Sequence, residues 1–300
     1  MAIKTLDQIL EAVQNKPKKR LVAAYANDPH TIEAVYNAYE KGLIEATLVG
    51  DADIIDQTCK QLNINPSVFH IVDVKEDMAA AMKSVELINQ GHGDIIMKGT
   101  VSTDKYLKAI LNKEFGLVPP KGLLSHITVT QTPKYHKLLI VSDVAIIPHP
   151  DLKQKITMVN YLIQAAHKLG IDQPKVALVA ATEQVTDAVP STIDAAIIAK
   201  MAERGQIKGG IVDGPMGFDL AIDPESVKIK KFNSPVAGDA DCILFPNIEA
   251  GNVFYKTNSK LAGGINGAVV FGAKVPIVLT SRGDSPETKM YSIALAALMA

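Results

Sequence analysis

Near its C-terminus the chain reads Lys274-Val-Pro-Ile-Val-Leu-Thr-Ser-Arg-Gly-Asp-Ser-Pro-Glu-Thr-Lys289. The apolar, β-branched run 275–279 predicts a buried strand. Ser285 followed by Pro286 is typical of a helix N-cap and first helical residue. Between strand and helix, Ser281-Arg282-Gly283 offers backbone N–H groups, a hydroxyl and a guanidinium, which together suit one anion. An ordinary turn with a surface arginine would have the same sequence. Residues elsewhere in the chain are therefore needed to distinguish an anion site from an ordinary turn.

The composition is that of a folded enzyme. The length of 300 residues predicts two domains or one large α/β unit. Hydrophobic residues make up 47% and charged residues 21%, which disfavours a disordered chain. The net charge of -1 and the absence of Trp disfavour a nucleic-acid partner, because such proteins need a basic excess or aromatic stacking surfaces.

The two cysteines, Cys59 and Cys242, form neither a disulfide framework nor a CxxC zinc pattern. The N-terminus has no apolar signal core, and no uncharged stretch reaches membrane-spanning length. The sequence therefore predicts a cytoplasmic protein with no membrane partner.

The first hundred residues alternate short apolar strands (21–26, 46–49, 69–72 and 94–97) with helices of about ten residues. This alternation predicts a parallel sheet with helices on both faces. Ligands of such sheets bind beyond the carboxyl ends of the strands. Lys98-Gly99 follows the fourth strand and is a candidate binding residue pair, although a solvated lysine would also fit there.

The segment 113–122 indicates a domain boundary, after which the alternation of single strands and helices is interrupted. The runs 126–130 and 137–147 predict an antiparallel strand pair that begins a second domain. Further strands are predicted over 175–180, 207–212 and 241–245, and the glycines of 263–272 indicate a loop-rich return to the last strand. We expect domains of 1–120 with 280–300 and of 121–279.

Polar residues cluster after several of these strands: Ser142-Asp143, Asp213 to Asp219, and Gly251-Asn252 with Lys256. Together they favour a small anionic ligand in an interdomain cleft. Asp213 and Asp219 could hold a metal, but their spacing is not diagnostic, and structural roles are favoured. Dinucleotide, phosphate-loop and nucleophile-elbow motifs are absent.

Five motifs in order carry a resemblance to a known family: Ser142-Asp-Val-Ala-Ile-Ile-Pro-His-Pro150, Asp213-Gly-Pro-Met-Gly-Phe-Asp219, Ser234-Pro-Val-Ala-Gly238, Phe245-Pro-Asn-Ile-Glu-Ala-Gly-Asn-Val-Phe-Tyr-Lys256 and Ser281-Arg-Gly283. Over roughly residues 90–300 the chain resembles the phosphate acetyltransferase/phosphate butyryltransferase family. The resemblance implies a two-domain isocitrate/isopropylmalate dehydrogenase-like α/β fold with the active site in the interdomain cleft. It implies acyl transfer between coenzyme A and inorganic phosphate as substrates, with no tightly bound cofactor or metal. A homodimer is usual in the family.

The resemblance also assigns roles. It assigns Arg282 to the phosphate or acyl-phosphate oxygens, and Ser281 to the CoA sulfur or the developing oxyanion. Acetyl-specific members carry a catalytic aspartate where this chain has Thr288, which leaves Glu287 and Asp284 as candidate bases. A thiol of pKa about 8.5 needs only modest help from a base. The predicted phosphate and CoA-binding residues are Lys98, Gly99, Ser142, Asp213, Asn252, Lys256, Gly283 and Thr288.

Further departures from the acetyl-specific pattern, at Lys105, Lys108 and Asp239, point to the butyryl or branched-chain side of the family. The leading hypothesis is an enzyme that converts butyryl-CoA, or a similar short or branched acyl-CoA, and phosphate into acyl phosphate and CoA. One alternative is a 2-hydroxy-acid dehydrogenase on the related fold. Another is a non-catalytic acyl-CoA sensor, which only Thr288 favours.

Overall fold

The computed structural model describes residues 2–280 and 284–300. Among these residues, no helix is both long and apolar enough to cross a membrane. The helices are α1 (Leu6–Gln14), α2 (Pro29–Glu40), α3 (Ala52–Gln61), α4 (Asp77–Asn89), α5 (Thr103–Ile110), α6 (Leu152–Lys168), α7 (Pro190–Glu203), α8 (Phe218–Ile222), α9 (Pro224–Lys230), α10 (Ile248–Lys260) and α11 (Pro286–Met299). The strands are β1 (Lys19–Ala24), β2 (Ile44–Gly50), β3 (His70–Asp73), β4 (Ile95–Lys98), β5 (Ser125–Gln131), β6 (Leu139–Ser142), β7 (Lys175–Val179), β8 (Ile211–Met216), β9 (Cys242–Leu244), β10 (Ile265–Phe271) and β11 (Ile277–Val278).

The chain divides into two compact units. The terminal unit comprises Asp7–Leu124 and Gly267–Ala300, and the central unit comprises the chain up to Leu6 with Ser125–Asn266. The domain limits expected from the sequence, 1–120 with 280–300 and 121–279, remain a prediction.

In the terminal unit the strand order is β3-β2-β1-β4-β11-β10. The first four of these pairings are parallel, and β10 runs antiparallel to β11. The four apolar residues of β1 from Leu21 onward are fully buried, as expected for a sheet covered on both faces. At α11 the predicted cap is confirmed, because Ser285 accepts a hydrogen bond from the Thr288 amide ahead of an almost wholly buried helix.

In the central unit the strand order is β5-β6-β9-β7-β8. The predicted antiparallel pair is confirmed, since β5 and β6 pair through Thr128↔Val141. The strands β6, β9, β7 and β8 are parallel, so their carboxyl ends meet at one edge. Helix α6 starts with a capping box between Asp151 and Gln154.

Three predicted boundaries are wrong. Strand β8 spans Ile211–Met216 rather than 207–212, because Gly209 has a left-handed φ of +85° and the preceding buried Ile207 lies in a turn. As a result Asp213 lies inside the strand and not after it. Strand β6 ends at Ser142 rather than at 147, because the Asp143 carboxylate binds the amides of Ala145 and Ile146 and turns the chain.

The predicted loop-rich return is also wrong, since β10 fills most of it. Gly267 lies within this strand and allows the Tyr291 main chain to approach, where a Cβ atom would stand 3.0 Å from its carbonyl oxygen. Gly267 was interpreted as a loop residue because glycine is favoured both in turns and where two backbones pack closely.

Candidate functional site

The predicted anion-binding residues Ser281, Arg282 and Gly283 lie outside the described residues. Their neighbours on both sides are described: β11 ends at Val278 and α11 begins at Pro286. Since β11 is parallel to β4, and β4 to β1, the segment after β11 leaves from the same edge of the terminal unit as Lys98. The topology thus places Lys98 and Val278 at neighbouring strand ends.

Lys98 ends β4 with its ammonium directed to its own loop. Its Nζ donates to the carbonyl oxygens of Gly99 at 2.9 Å and Val101 at 3.0 Å. The side chain is half-buried. In this arrangement the lysine shapes the loop after β4 and places a positive charge at the carboxyl edge of the sheet.

Main-chain contacts join the loop after β4 to the end of β1. The Gly99 amide donates to the Ala24 carbonyl at 2.9 Å, and the Thr100 amide and hydroxyl both donate to the Tyr25 carbonyl at 3.0 Å. A Cβ atom at Gly99 would overlap the Tyr25 carbonyl oxygen. Tyr25 itself has a left-handed φ of 60°, which is unusual for an aromatic residue. Only glycine at position 99 allows this close approach.

The start of α11 holds the candidate bases. Thr288 is buried, and its Oγ1 accepts a hydrogen bond of 3.1 Å from the Ser285 hydroxyl. Glu287 is exposed on the first turn, and Asp284 is half-buried just before the cap. Both carboxylates therefore belong to the described stretch at the start of α11 and are not buried in its core.

In the central unit, Ser142 and the residue after it form a buried polar cluster at the carboxyl edge. Asp143 is only 1% exposed, and its carboxylate accepts hydrogen bonds from the Ser125 hydroxyl at 3.0 Å and the His126 amide at 2.9 Å. Ser142 and Ser125 place their hydroxyl oxygens 3.0 Å apart, and the Ser142–Asp143 peptide is cis. Sequence reasoning noted Asp143 beside Ser142 but did not select it as a site residue; a strand-end aspartate that turns the chain was the available signal.

Helix α10 packs on this cluster through two predicted residues. A Cβ atom at Gly251 would overlap the Asp143 carbonyl oxygen, so glycine lets the helix approach. The Asn252 amide donates to the Val144 carbonyl at 3.0 Å. The structure therefore places Asn252 on the loop that follows Ser142, whereas Lys256 lies exposed one turn further along α10.

Asp213 lies apart from that cluster along β8. Its carboxylate accepts from the Gly214 amide at 2.9 Å, before a cis Gly214–Pro215 peptide, and it lines a cavity of about 730 Å³ beside α7. Asp219 instead pairs with Lys230 at 2.8 Å, and that hydrogen bond lowers the Asp219 pKa. Among the described residues no three His, Cys, Asp or Glu side chains are grouped to hold a metal ion.

An apolar cavity of about 620 Å³ lies in the central unit between α8, α10 and the hairpin loop after β5. Phe254 lies between Phe218 and Phe245, with ring centroids 5.2 Å from each. Close to it, Val253 is 65% exposed and Leu261 is 84% exposed. This surface is far more apolar than an ordinary solvated helix face.

The residues that departed from the acetyl-specific pattern have partners within the protein. Lys105 binds both Asp77 oxygens at 2.8 Å. Burial tends to raise the pKa of Asp239, but hydrogen bonds and charge from Lys175 and Lys137 outweigh it and lower that pKa to about 2.

The fold is that of an α/β protein with mostly parallel strands, and polar residues lie at the carboxyl ends of several of them. The family model described as phosphate acetyl/butaryl transferase matches residues 4–82 and 77–297. Over 298 residues the chain is 45% identical to phosphate butyryltransferase of Clostridium acetobutylicum, covering 99% of both chains. It is 40% identical to phosphate acetyltransferase of Thermotoga maritima, covering 98% of this chain and 99% of that one.

Solved structures have a similar fold. A branched-chain phosphotransacylase from Enterococcus faecalis V583 matches with a TM-score of 0.82 and 29% identity, covering 94% of this chain and 98% of that chain. A 4-hydroxythreonine-4-phosphate dehydrogenase from Klebsiella pneumoniae matches at 0.54 and 15%, covering 94% and 99%, and shows the shared α/β fold alone. The predicted α/β fold with a mostly parallel sheet is confirmed, whereas the active site in an interdomain cleft stays a prediction. The chain belongs to the phosphate acetyl/butyryl transferase family and is an acyltransferase.

Proposed function

We propose that the protein converts butyryl-CoA, or a similar short or branched acyl-CoA, and inorganic phosphate into acyl phosphate and CoA. The observation that carries this proposal is the 45% identity, over the whole chain, to a phosphate butyryltransferase. The likeness to a branched-chain phosphotransacylase supports the same substrate class. Neither relationship favours a dehydrogenase or a non-catalytic sensor.

The chemistry is direct acyl transfer between two bound substrates. In the direction of thioester formation, the CoA thiolate attacks the carbonyl carbon of the acyl phosphate. The C–S bond forms, the C–O bond to phosphate breaks, and phosphate leaves with the electron pair. Holding both substrates together supplies much of the acceleration, and cationic groups stabilise the charge that develops on the oxygens.

We assign the charge-stabilising roles as the family resemblance does. Arg282 binds the phosphate oxygens, and Ser281 contacts the sulfur or the carbonyl oxygen. Lys98 supports this assignment because its ammonium lies at a neighbouring strand end. The further proposed binding residues are Gly99, Ser142, Asp213, Asn252, Lys256, Gly283 and Thr288.

The direct experiment mixes the protein with butyryl-CoA and phosphate and follows CoA release with a thiol reagent. We expect phosphate-dependent release, fastest with a chain of about four carbons. If no acyl-CoA from two to six carbons releases CoA in a phosphate-dependent way, the proposed function is wrong. CoA binding without turnover would then support a sensor.

Substitution of the arginine tests its role in catalysis. In Arg282→Ala we expect kcat/KM to fall about 10²- to 10³-fold, as when one preorganised donor to a developing charge is removed. Arg282→Lys, which keeps the charge but loses the two-pronged geometry, serves as the matched control and should recover part of the loss. Equal activity of the alanine variant and wild type would exclude the assigned role.

Glu287 and Asp284 remain the candidate bases. A thiol of pKa about 8.5 is partly ionised near neutral pH, so loss of the base should lower the rate most at low pH. Glu287→Gln and Asp284→Asn are compared over pH 6 to 9. A variant with an unchanged pH profile removes its residue from consideration.

We also propose a homodimer, as is usual in the family, and a cytoplasmic location. The exposed Val253 and Leu261 beside the apolar cavity support self-association, because exposed apolar patches commonly mark interfaces. Light scattering on wild type and on Leu261→Lys tests the first proposal. A monomeric mass of wild type at micromolar concentration would contradict it.

A further inference from the structure

The loop after β6 projects from the carboxyl edge of the central unit, where ligands of parallel sheets bind. Two of its apolar side chains, Val144 and Ile147, are buried at 2% and 7% exposure. Between them Ala145 is exposed and Ile146 is half-buried. The loop therefore has two apolar anchors and presents one branched apolar side chain between them.

The Asp143 carboxylate fixes the main chain of this loop. One oxygen accepts the amides of Ala145 and Ile146, both at 2.8 Å. The other accepts the Ser125 hydroxyl and the His126 amide, which tie the loop to the start of β5. Since the carboxylate joins these groups, the backbone at Ile146 is held against the strand it follows.

Helix α10 holds the same loop from the other side. Asn252 donates to the Val144 carbonyl at 3.0 Å, and the Ile248 amide donates to the Pro148 carbonyl at 3.0 Å. Gly251 packs directly on the Asp143 carbonyl. Both ends of the segment Val144–Pro148 are therefore anchored, so that Ile146 occupies a defined position.

We propose that Ile146 contacts the acyl chain and sets its preferred length, and that Asp143 is the positioning residue for Ile146. This inference rests on the proposed function. Phosphate and CoA present mainly charged and polar atoms to the protein, whereas the acyl chain is apolar and gains from an apolar contact. A fixed side chain can discriminate between chains that differ by a methylene, roughly tenfold or more for each.

The apolar cavity around Phe254 is the rival location for the chain. Its volume of about 620 Å³ far exceeds what a four-carbon chain fills. Its main polar groups already have partners: the Asn258 amide donates to Thr130 and the Tyr135 hydroxyl to the Ala240 carbonyl. Such a cavity would accept long acyl chains without discriminating between chains that differ by one methylene. We therefore favour the fixed Ile146 as the residue that selects short acyl chains.

The test measures kcat/KM for acetyl-, propionyl-, butyryl-, valeryl- and hexanoyl-CoA. In Ile146→Ala we expect the ratio of butyryl to acetyl to fall about tenfold, with Ile146→Val between it and wild type. Ile229→Ala is the matched control, because Ile229 is 72% exposed on α9. The dependence of kcat/KM on acyl-chain length, the length profile, should be the same in this variant as in wild type.

Asp143→Asn tests the positioning role. We expect the butyryl-to-acetyl ratio to fall as in Ile146→Ala while the KM for phosphate stays constant, a split that general destabilisation would not produce. The double variant should fall no further than the single ones, because both act on one contact. If Asp143→Asn does not fold, the graded series at Ile146 still decides the specificity role.

Two results would overturn the inference. One is an active wild type whose length profile is unchanged in Ile146→Ala. The other is a profile that shifts in Phe254→Ala and not in the Ile146 variants, which would place the chain in the cavity. An inactive wild type on all five thioesters would instead count against the proposed function itself.

Discussion

The loop after β4 in the terminal unit and the loop after β6 in the central unit both leave the carboxyl end of a buried strand, but different atoms hold them. The first is joined to its neighbouring strand mainly by main-chain groups, through Gly99 and Thr100 on Ala24 and Tyr25, and the Lys98 ammonium bonds within the loop. The second is held mainly by one side chain, since the Asp143 carboxylate accepts four hydrogen bonds, while Asn252 of α10 adds one more.

This difference decides which substitutions each edge tolerates. An edge joined by main-chain contacts depends on the space between backbones, so an added Cβ atom is more harmful than a changed side chain. An edge joined mainly by a buried carboxylate depends strongly on that residue, because its removal takes the hydrogen-bond acceptor away from several donors at once. The comparison makes three predictions about stability.

The largest effect is expected for Asp143→Ala. It leaves the buried His126 amide without its carboxylate acceptor, removes one of the two partners of the Ser125 hydroxyl and frees the turn, so we expect a loss of about 4 kcal/mol of unfolding free energy. Urea denaturation measures it. Asp151→Ala, which removes a helix cap, is the control and should cost about 1 kcal/mol. Equal costs would show that the carboxylate is not what holds this edge.

A smaller loss is expected for Gly99→Ala. The new Cβ atom overlaps the Tyr25 carbonyl, and the shift required should cost about 3 kcal/mol. Gly91→Ala is the control: Gly91 has a φ of +76° and open space around it, so only backbone strain of about 1 kcal/mol is expected. Calorimetric melting compares the two. A Gly99 variant as stable as the control would remove the main-chain explanation.

The smallest effect is expected at the opposite, amino-terminal edge of the central unit, where Asp239 pairs with Lys137 and Lys175 at 2.9 and 2.8 Å. Its folded pKa of about 2 lies below the unfolded value, so its contribution is present above about pH 4 and lost as the pH falls towards 2. With solvent screening of this partly exposed group, Asp239→Asn should cost about 1 kcal/mol at pH 7.

Urea unfolding of wild type and Asp239→Asn at pH 7, 4 and 3 follows this contribution. The difference between the two proteins should shrink as the pH falls below 4. Asp56→Asn, in an exposed pair with Lys60, is the control. A constant difference at all three pH values would refute the assignment to ionised Asp239.

The sequence predicted the fold where one residue type has one structural cause. Ser285-Pro286 marked the start of α11, and the alternating strands and helices marked the parallel sheets. It failed where a residue type has several causes. Gly267, which packs closely inside β10, was interpreted as part of a loop, and buried Ile207 was taken for part of a strand.

The candidate site likewise contains residues that the sequence could predict and a residue whose role it could not. Ser142 and Asn252 were predicted from strand ends and motifs; in the structure Ser142 ends β6 and Asn252 binds the loop that follows it, while their binding roles stay predictions. The dominant role of Asp143 could not be predicted, because its four donors come from two separate stretches, the start of β5 and the loop after β6, which the pairing of β5 with β6 brings together. The roles of Ser281 and Arg282 rest on the family resemblance and remain proposals.

The cap of α11 affects which side chains can be substituted at position 288. Thr288 is the third residue of the helix and receives the Ser285 hydroxyl, at the positive end of the helix dipole. A carboxylate at this position would accept the same hydroxyl and be stabilised by the same dipole. The start of this helix can therefore gain or lose a proton acceptor by one substitution, with the scaffold around it left intact.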